Sequence, residues 1–141
     1  MFGCSGYEPL FSKKDLSFFI EDIKNVKNDE VTRDLSKILN TLKLNVGNKE
    51  GYSLEISSDI KDIITSKDST GRAQTYEMII SIKLKVFAYD TGLMLTTFDI
   101  NKNFNYNNQE NKVDFQRYKK NIQQIIINKI SQDIIIKLQT L

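Results

Sequence analysis

The clearest pattern in the chain is an alternation of apolar and polar residues between positions 75 and 88, interrupted only by Ile79 and Phe87. One face of this segment would carry seven side chains: Tyr76, Met78, Ile80, Ile82, Leu84, Val86 and Ala88. A period of two residues is typical of a β-strand with one buried face. The sequence therefore predicts a long strand, about 43 Å from Tyr76 to Ala88 at ~3.3 Å per residue.

Three further strands are predicted around this one. The Asp-Thr-Gly segment at 90–92 forms a turn, so 93–106 should fold back as a hairpin partner. Upstream, 52–60 alternates between apolar and polar residues in the same way. The segment 16–26, in which Leu16, Phe18 and Ile20 share a side, predicts a first strand that ends in a turn.

Two segments instead show the spacing of an amphipathic helix. The first should run from Glu30 to Leu44, capped by Asn28 or Asp29, with an apolar stripe made of Val31, Leu35, Ile38, Leu39 and Leu42. The second should run from Val113 to Leu138, with a stripe made of Tyr118, Ile122, Ile126, Ile130 and Ile134, and Ile125 beside it. Ile127 and Ile135 lie off this stripe, which indicates either a broad buried face or a contact outside the domain.

The element order is therefore β-α-β-β-β-α. Helices with one apolar stripe and antiparallel strands with one polar face predict an α+β fold, a two-layer sandwich. Both helices should pack on one face of a three- to four-stranded, mostly antiparallel sheet. We expect residues 1–15 to form a leader and 16–141 to form a single domain.

Composition excludes several function classes. Twenty basic against eighteen acidic residues give a net charge of +2, too weak to favour nucleic acid as a partner. There is no histidine, the commonest metal ligand and the usual acid–base catalyst. The adjacent carboxylates at 21–22 and 29–30 should point apart, and no phosphate-binding glycine loop is present. We expect no catalytic residue, no metal site, no cofactor and no enzymatic activity.

Cys4 is the only cysteine, so it cannot form an internal disulfide. Gly3 precedes it, as lipoprotein processing prefers, so Cys4 is a candidate for lipid attachment; the alternative is an incidental exposed thiol. The sequence has no apolar run of 18 residues. Three residues before Cys4 are too few for a signal peptide, so we expect an export signal that this sequence lacks.

The segment from Gly6 to Phe11, Gly-Tyr-Glu-Pro-Leu-Phe, resembles the start of mature LptE proteins, the lipopolysaccharide-assembly lipoproteins. In that family a lipobox cysteine is followed almost at once by Gly, an aromatic residue, any residue, Pro, Leu and an aromatic residue. The segment 33–42 resembles the family's first helix, and Thr70-Gly71-Arg72-Ala73 resembles its loop before the third strand. The order of elements also matches. Ser5, between the cysteine and the glycine, departs from the family pattern.

The resemblance implies an outer-membrane lipoprotein at the periplasmic face, held in the membrane by acylation of Cys4. It further implies that the protein binds and plugs the LptD β-barrel one to one, assists its assembly and contacts lipopolysaccharide. Two alternatives stay open. One is a transport-auxiliary lipoprotein of a phospholipid-trafficking system, and the other is a soluble α+β adaptor domain whose natural start is Met1.

Three basic residues near the 66–71 loop are candidates for binding lipopolysaccharide: Lys61, Lys67 and Arg72. Their charged groups can form charge-assisted hydrogen bonds with lipid A phosphates. The alternative is a solvated loop, because the bias toward Ile, Asn and Lys is typical of an AT-rich genome. Arg72 is the strongest candidate, since the chain has only three arginines. We also expect Pro9 to pack on the sheet edge, and basic residues at 117–120 to oppose the dipole of the last helix.

Overall fold

The computed structural model describes residues 16–43 and 50–141. The expected leader, with Cys4 and Pro9, lies outside these described residues. The elements follow the predicted order: β1 (Phe18–Asn25), α1 (Glu30–Asn40), β2 (Glu50–Lys67), β3 (Ala73–Ala88), β4 (Met94–Asn107) and α2 (Lys112–Gln139).

The four strands form one mixed sheet in the order β1-β2-β3-β4. The β2–β3 and β3–β4 pairs are antiparallel, whereas β1 and β2 are parallel. Parallel neighbours need a crossover connection, which α1 supplies. These observations confirm the predicted α+β class and element order.

The β2–β3 pair is the longest contact between elements. It runs from Tyr52 opposite Ala88 to Lys67 opposite Ala73. The sheet therefore has two well-separated ends. The proximal end contains the start of β1, the turn 89–93 and the end of α2. The distal end contains the turn 68–72 and the connection 108–111.

One face of the sheet packs against both helices, and the core lies between this face and the helices. The central residues of β2 and β3 in this core are at most 2% exposed: Leu54, Ile56, Ile80, Ile82 and Leu84.

The buried face of α2 is broad, because Ile127 is fully buried and Ile135 packs against the core. Ile125 is 42% exposed, so its predicted place beside the buried stripe is wrong. Successive residues of an α-helix are rotated by about 100°, so the turn that carries Ile126 inward places Ile125 at the exposed side.

Two predicted boundaries differ from the structure. β2 continues to Lys67, past the point where Ile63 and Ile64 break the alternation, because β3 pairs with it throughout. α1 ends at Asn40 rather than Leu44. Leu42 is nevertheless buried, and its carbonyl accepts a hydrogen bond from the amide of Ile20 at 3.1 Å, which ties the helix end to β1.

The helices differ greatly in length. The 11 residues of α1 span about 16 Å, and the 28 residues of α2 span about 42 Å. α1 therefore covers only the proximal half of the sheet, where it contacts β1 and β2, and α2 alone extends over the distal half. Neither described helix combines the length and the apolar character needed to cross a membrane.

Asp29 joins α1 to the sheet. Its side chain accepts hydrogen bonds from the Thr32 amide at 2.8 Å, the Thr32 hydroxyl at 2.9 Å and the Ser58 hydroxyl at 2.8 Å. Burial alone would raise the pKa of Asp29, but these hydrogen bonds outweigh burial and lower the pKa below 3.8. Asp29 is thus both the N-cap of α1 and a link to β2.

Asp29→Ala should destabilise the fold by about 1–2 kcal/mol, because three donors lose their acceptor. The folded-state pKa lies below the ordinary value, so the carboxylate stabilises the fold above pH 3.8 and this contribution disappears as the pH falls through the folded-state pKa. Urea unfolding at neutral and acidic pH measures both effects. Exposed Asp99 is the control, and an equal loss in Asp99→Ala would contradict the capping role.

Candidate functional site

A concavity of about 880 Å³ opens at the distal end, between the β2–β3 turn and the β4–α2 connection. Its lining is mostly polar. The residues are Asp68, Arg72, Ala73, Gln74, Thr75, Asn107, Asn108, Gln109, Glu110, Lys112, Phe115 and Gln116. Amide side chains dominate this set, and they can donate and accept hydrogen bonds at the same time.

The β2–β3 turn is organised around the carboxylate of Asp68. Its Oδ1 accepts hydrogen bonds from the amide of Thr70 at 2.9 Å, the hydroxyl of Thr70 at 2.6 Å and the amide of Arg72 at 2.9 Å. Gly71 has a φ of 87°, which a residue with a Cβ adopts only under strain. The Thr70 hydroxyl, followed by the Arg72 amide, lowers the pKa of Asp68. The turn is therefore fixed by its own polar groups.

The β4–α2 connection is held by two asparagines. Asn108 donates its side-chain amide to the carbonyl of Ala73 at 2.9 Å and its backbone amide to the carbonyl of Gln74 at 2.8 Å. Asn111 caps α2 by accepting from the amides of Val113 and Asp114 at 2.9 and 3.1 Å. Both walls of the concavity are thus anchored to β3 or to a helix end.

Two cations and two carboxylates line the concavity, so its formal charge is balanced. Asp68 already accepts three hydrogen bonds within its turn. The side chains of Arg72 and Lys112 form no salt bridge within the described part of the chain. They remain available to an anionic group, and the surrounding amides suit a ligand rich in hydroxyl groups.

An aromatic cluster adjoins the concavity, and Phe115 belongs to both. Tyr76 stacks on Tyr106 with ring centroids 5.3 Å apart, and Phe115 lies 5.6 Å from Tyr76 and 6.0 Å from Tyr106. Tyr118 meets Tyr106 edge-on at 6.0 Å. Each such pair contributes about 0.5–1.5 kcal/mol beyond buried area, so the cluster fastens the first turns of α2 to the sheet.

Asp62 connects this cluster to β2. The Tyr106 hydroxyl donates to Asp62 Oδ1 at 2.6 Å, and Lys119 Nζ lies 3.1 Å from Asp62 Oδ2. Burial, followed by the hydrogen bond to Asp62, raises the pKa of Tyr106 well above its ordinary range. The phenol therefore stays protonated and remains a donor at every physiological pH.

The basic residues at the start of α2 have partners in the structure. Lys119 pairs with Asp62, Lys120 Nζ lies 3.0 Å from Glu30 Oε1, and Arg117 lies 3.9 Å from Asp114. Lys119 and Lys120 thus bind α2 to β2 and α1, which offsets their unfavourable position near the helix N-terminus. These residues contribute to docking of α2.

Of the three basic candidates in the sequence, Arg72 alone lines the concavity. Lys67 is the last residue of β2, next to the turn, and Lys61 pairs opposite Ile79, about 20 Å further along the strand. Neither lysine is among the lining residues. Cys4 lies outside the described residues.

Sequence reasoning missed Lys112 and the amide-rich wall. In the sequence, residues 105–111 indicate only an Asn-rich turn, because asparagines are common in an AT-rich genome. The signal was available in the hairpin register: Asn107 lies opposite Thr75, which brings the 108–111 connection beside Arg72.

The fold is shared with several solved lipoproteins. The chain is similar to rare lipoprotein B from Shewanella oneidensis, with a TM-score of 0.67, 14% identity, and 86% of this chain and 94% of that one covered. An uncharacterised lipoprotein B from Nitrosomonas europaea gives 0.67 at 13% identity, covering 95% and 90%. A minor lipoprotein from Acinetobacter baumannii gives 0.61 at 13% identity, covering 89% and 93%.

No protein-family model matches the chain, and no curated protein matches it in sequence. Identities of 13–14% show a common fold and nothing finer.

Tyr106→Phe should destabilise the protein by about 1 kcal/mol, because it removes the hydroxyl that Asp62 accepts while keeping the ring. Because the folded-state pKa of Tyr106 is raised, its neutral phenol stabilises the fold below pH 10.0, and this contribution is lost as the pH rises through the folded-state value. Denaturant titrations at increasing alkaline pH should therefore show a smaller loss of unfolding free energy in Tyr106→Phe than in the unaltered protein.

The matched control is Tyr118→Phe, whose ring belongs to the same cluster and whose hydroxyl makes no hydrogen bond within the described ranges. The role given to the Tyr106–Asp62 hydrogen bond would be contradicted if both substitutions lowered stability equally and both changed the loss of stability at alkaline pH equally.

Proposed function

We propose that this protein is a lipid-anchored outer-membrane lipoprotein of the periplasmic face that binds and plugs the LptD β-barrel, assists its assembly and contacts lipopolysaccharide. The observation that carries the proposal is the fold, which matches solved lipoproteins over at least 86% of the chain. The leader around Cys4, which resembles that of LptE proteins, supports the same assignment. The protein acts by binding rather than by turnover.

Cys4 is the proposed attachment point for the lipid. It precedes Leu16, where the described domain begins, by twelve positions. Fully extended, this segment reaches about 40 Å. An acyl anchor at Cys4 would therefore keep the start of the domain within about 40 Å of the membrane and would need no spanning helix.

The distal half of β2 is the proposed contact with the barrel. β1 pairs with β2 only as far as Ile56, so from Asp59 to Lys67 the outer edge of β2 has no neighbouring strand among the described residues. Three isoleucines on this stretch are about half exposed: Ile60, Ile63 and Ile64. An unpaired edge with exposed isoleucines favours association with another β-structure, because it offers backbone hydrogen bonds and side-chain burial together.

The other edge of the sheet differs in chemistry. The outer strand β4 carries a series of polar residues between 99 and 107: Asp99, Asn101, Lys102, Asn103, Asn105 and Asn107. Polar and charged side chains on an edge strand discourage pairing. The distal half of β2 also carries charged residues, but of the two stretches it is the one that exposes three isoleucines, so it suits a protein partner better.

The distal concavity is the proposed lipopolysaccharide contact. Arg72 and Lys112 offer unpaired positive charge, and the amides around them suit sugar hydroxyls. β3 is 16 residues long, which separates the two ends by about 50 Å. The domain would thus hold the lipopolysaccharide site well away from the lipid anchor.

Ile63→Asp should weaken binding to the barrel, because a charge on the free edge of β2 must be desolvated in the interface. Co-purification of LptD with tagged protein, expressed behind a lipoprotein signal peptide, measures this. Ile125→Asp is the matched control: Ile125 is 42% exposed against 43% for Ile63, and it lies on α2. Equal recovery of LptD with both variants would contradict the proposed edge contact, and no recovery with the unaltered protein would contradict barrel binding.

Arg72→Glu should weaken lipopolysaccharide binding about tenfold or more, because a charge-assisted hydrogen bond becomes a repulsion. The melting temperature should stay unchanged, since the Arg72 side chain forms no salt bridge with any described residue. Arg33→Glu makes the same charge change on α1, outside the concavity. Parallel loss of binding in both variants, or loss of stability together with binding in Arg72→Glu, would argue against a direct contact.

A further inference from the structure

The turn between β3 and β4 carries an apolar cluster at the tip of the proximal end. Its residues are among the most exposed apolar side chains described: Tyr89 at 50%, Leu93 at 65%, Met94 at 58% and Leu95 at 49%. Single exposed apolar residues are ordinary on protein surfaces, but four within seven positions form a patch that favours an apolar environment. We call this cluster the apolar tip.

The backbone of the apolar tip is largely satisfied by its own turn. The amide of Ala88 donates to the carbonyl of Leu93 at 2.9 Å, and the amide of Gly92 donates to the carbonyl of Ala88 at 2.8 Å. The Leu93 amide donates to the Thr91 hydroxyl at 3.3 Å. Groups that are already hydrogen-bonded cost less to remove from water, so this turn is suited to a medium of low polarity.

Charge is sparse within the segment that forms the tip, although Asp22, Lys24 and Glu55 of the neighbouring strands lie beside Tyr89 and Gly92. Between Lys85 and Lys102 the sequence has no basic residue, and Asp90 is the one charged side chain between positions 86 and 98. A surface of this kind gains little from electrostatic attraction. Its favourable contact is hydrophobic, and Tyr89 adds the amphipathic ring that is enriched at the boundary between water and lipid.

The apolar tip lies at the end of the fold where the leader joins the domain. The Tyr89 amide donates to the carbonyl of Gly51 at 3.0 Å, and Gly51 pairs with Phe19 at the start of β1. At this same end, Ser17 donates through its amide and its hydroxyl to Gln139 Oε1 at 2.7 and 2.8 Å. An anchor at Cys4, twelve positions before Leu16, is therefore tethered to this end of the domain.

We propose that the apolar tip inserts into the interfacial region of the lipid bilayer beside the Cys4 anchor. The inference rests on the proposed anchorage, since it uses Cys4 to place the proximal end near lipid. Two attachments restrict the tilt of the domain more than one flexible tether does. The long sheet is then held at a fixed tilt, with the concavity at its far end.

Two properties of the sequence allow a direct test. The chain has no tryptophan, so a single introduced tryptophan is the only such fluorophore. Cys4 is the only cysteine, so a maleimide lipid attaches the full chain to vesicles at that position alone. Leu93→Trp places the probe in the apolar tip. Val113→Trp is the matched control, because Val113 is 66% exposed against 65% for Leu93 and lies at the distal end.

The two proteins are coupled to phosphatidylcholine vesicles with ordinary or brominated acyl chains. We expect the emission of Leu93→Trp to shift to shorter wavelength on coupling and to be quenched by the brominated chains, whereas Val113→Trp emission stays unchanged. Adding Leu95→Asp to the Leu93→Trp protein should reverse most of the shift, because the tip then carries a second carboxylate. Circular dichroism of each variant checks that the fold is kept.

Equal emission from the two probes, or stronger quenching at position 113, would overturn the insertion of the tip. The chemical coupling replaces acylation, so this result does not depend on whether Cys4 is lipidated in cells. The anchorage itself is tested separately by the mass of the N-terminal peptide from protein expressed behind a lipoprotein signal. An unmodified Cys4 would contradict the anchorage and leave the lipid affinity of the tip as a separate measured property.

Discussion

The antiparallel pairing of β2 with β3 is the interaction on which the rest of the structure depends. It continues from Tyr52 opposite Ala88 to Lys67 opposite Ala73, so the sheet is far longer than α1, the helix that covers its proximal half. Two other features follow from this mismatch in length. The distal half needs another cover, and the outer edge of β2 has no neighbouring strand beyond Ile56 among the described residues.

The distal half is covered by α2, and polar as well as aromatic contacts hold it there. Tyr76, Tyr106 and Phe115 fasten the first turns of the helix, while Asp62 joins Tyr106 to Lys119. This arrangement supports the wall of the concavity that contains Lys112, opposite the turn that contains Arg72. The stability of the fold and the geometry of the proposed ligand site therefore share the same contacts, whereas the charged groups that would bind a ligand stay outside them.

Much of the fold could be predicted because the alternation in β3 and the stripes of both helices record which side of each element is buried. The extent of β2 could not, because Ile63 and Ile64 follow one another and only pairing with β3 keeps them in a strand. The rarity of arginine singles out Arg72 in the sequence, and the structure places it in the lining of the concavity. Lys112 was not, because its proximity to Arg72 depends on the register of β3 with β4, and that register brings together positions 40 residues apart.

The central claim is that the two ends of one long sheet serve different lipids: the proximal end meets the membrane, and the distal end meets lipopolysaccharide. Photo-cross-linking in cells tests it most directly, with a photoreactive amino acid at Asp90 in the apolar tip or at Gln109 in the concavity of the lipoprotein co-expressed with LptD. The account predicts phospholipid adducts from position 90 and lipopolysaccharide adducts from position 109. The same lipid captured at both positions, or the reverse assignment, would contradict it.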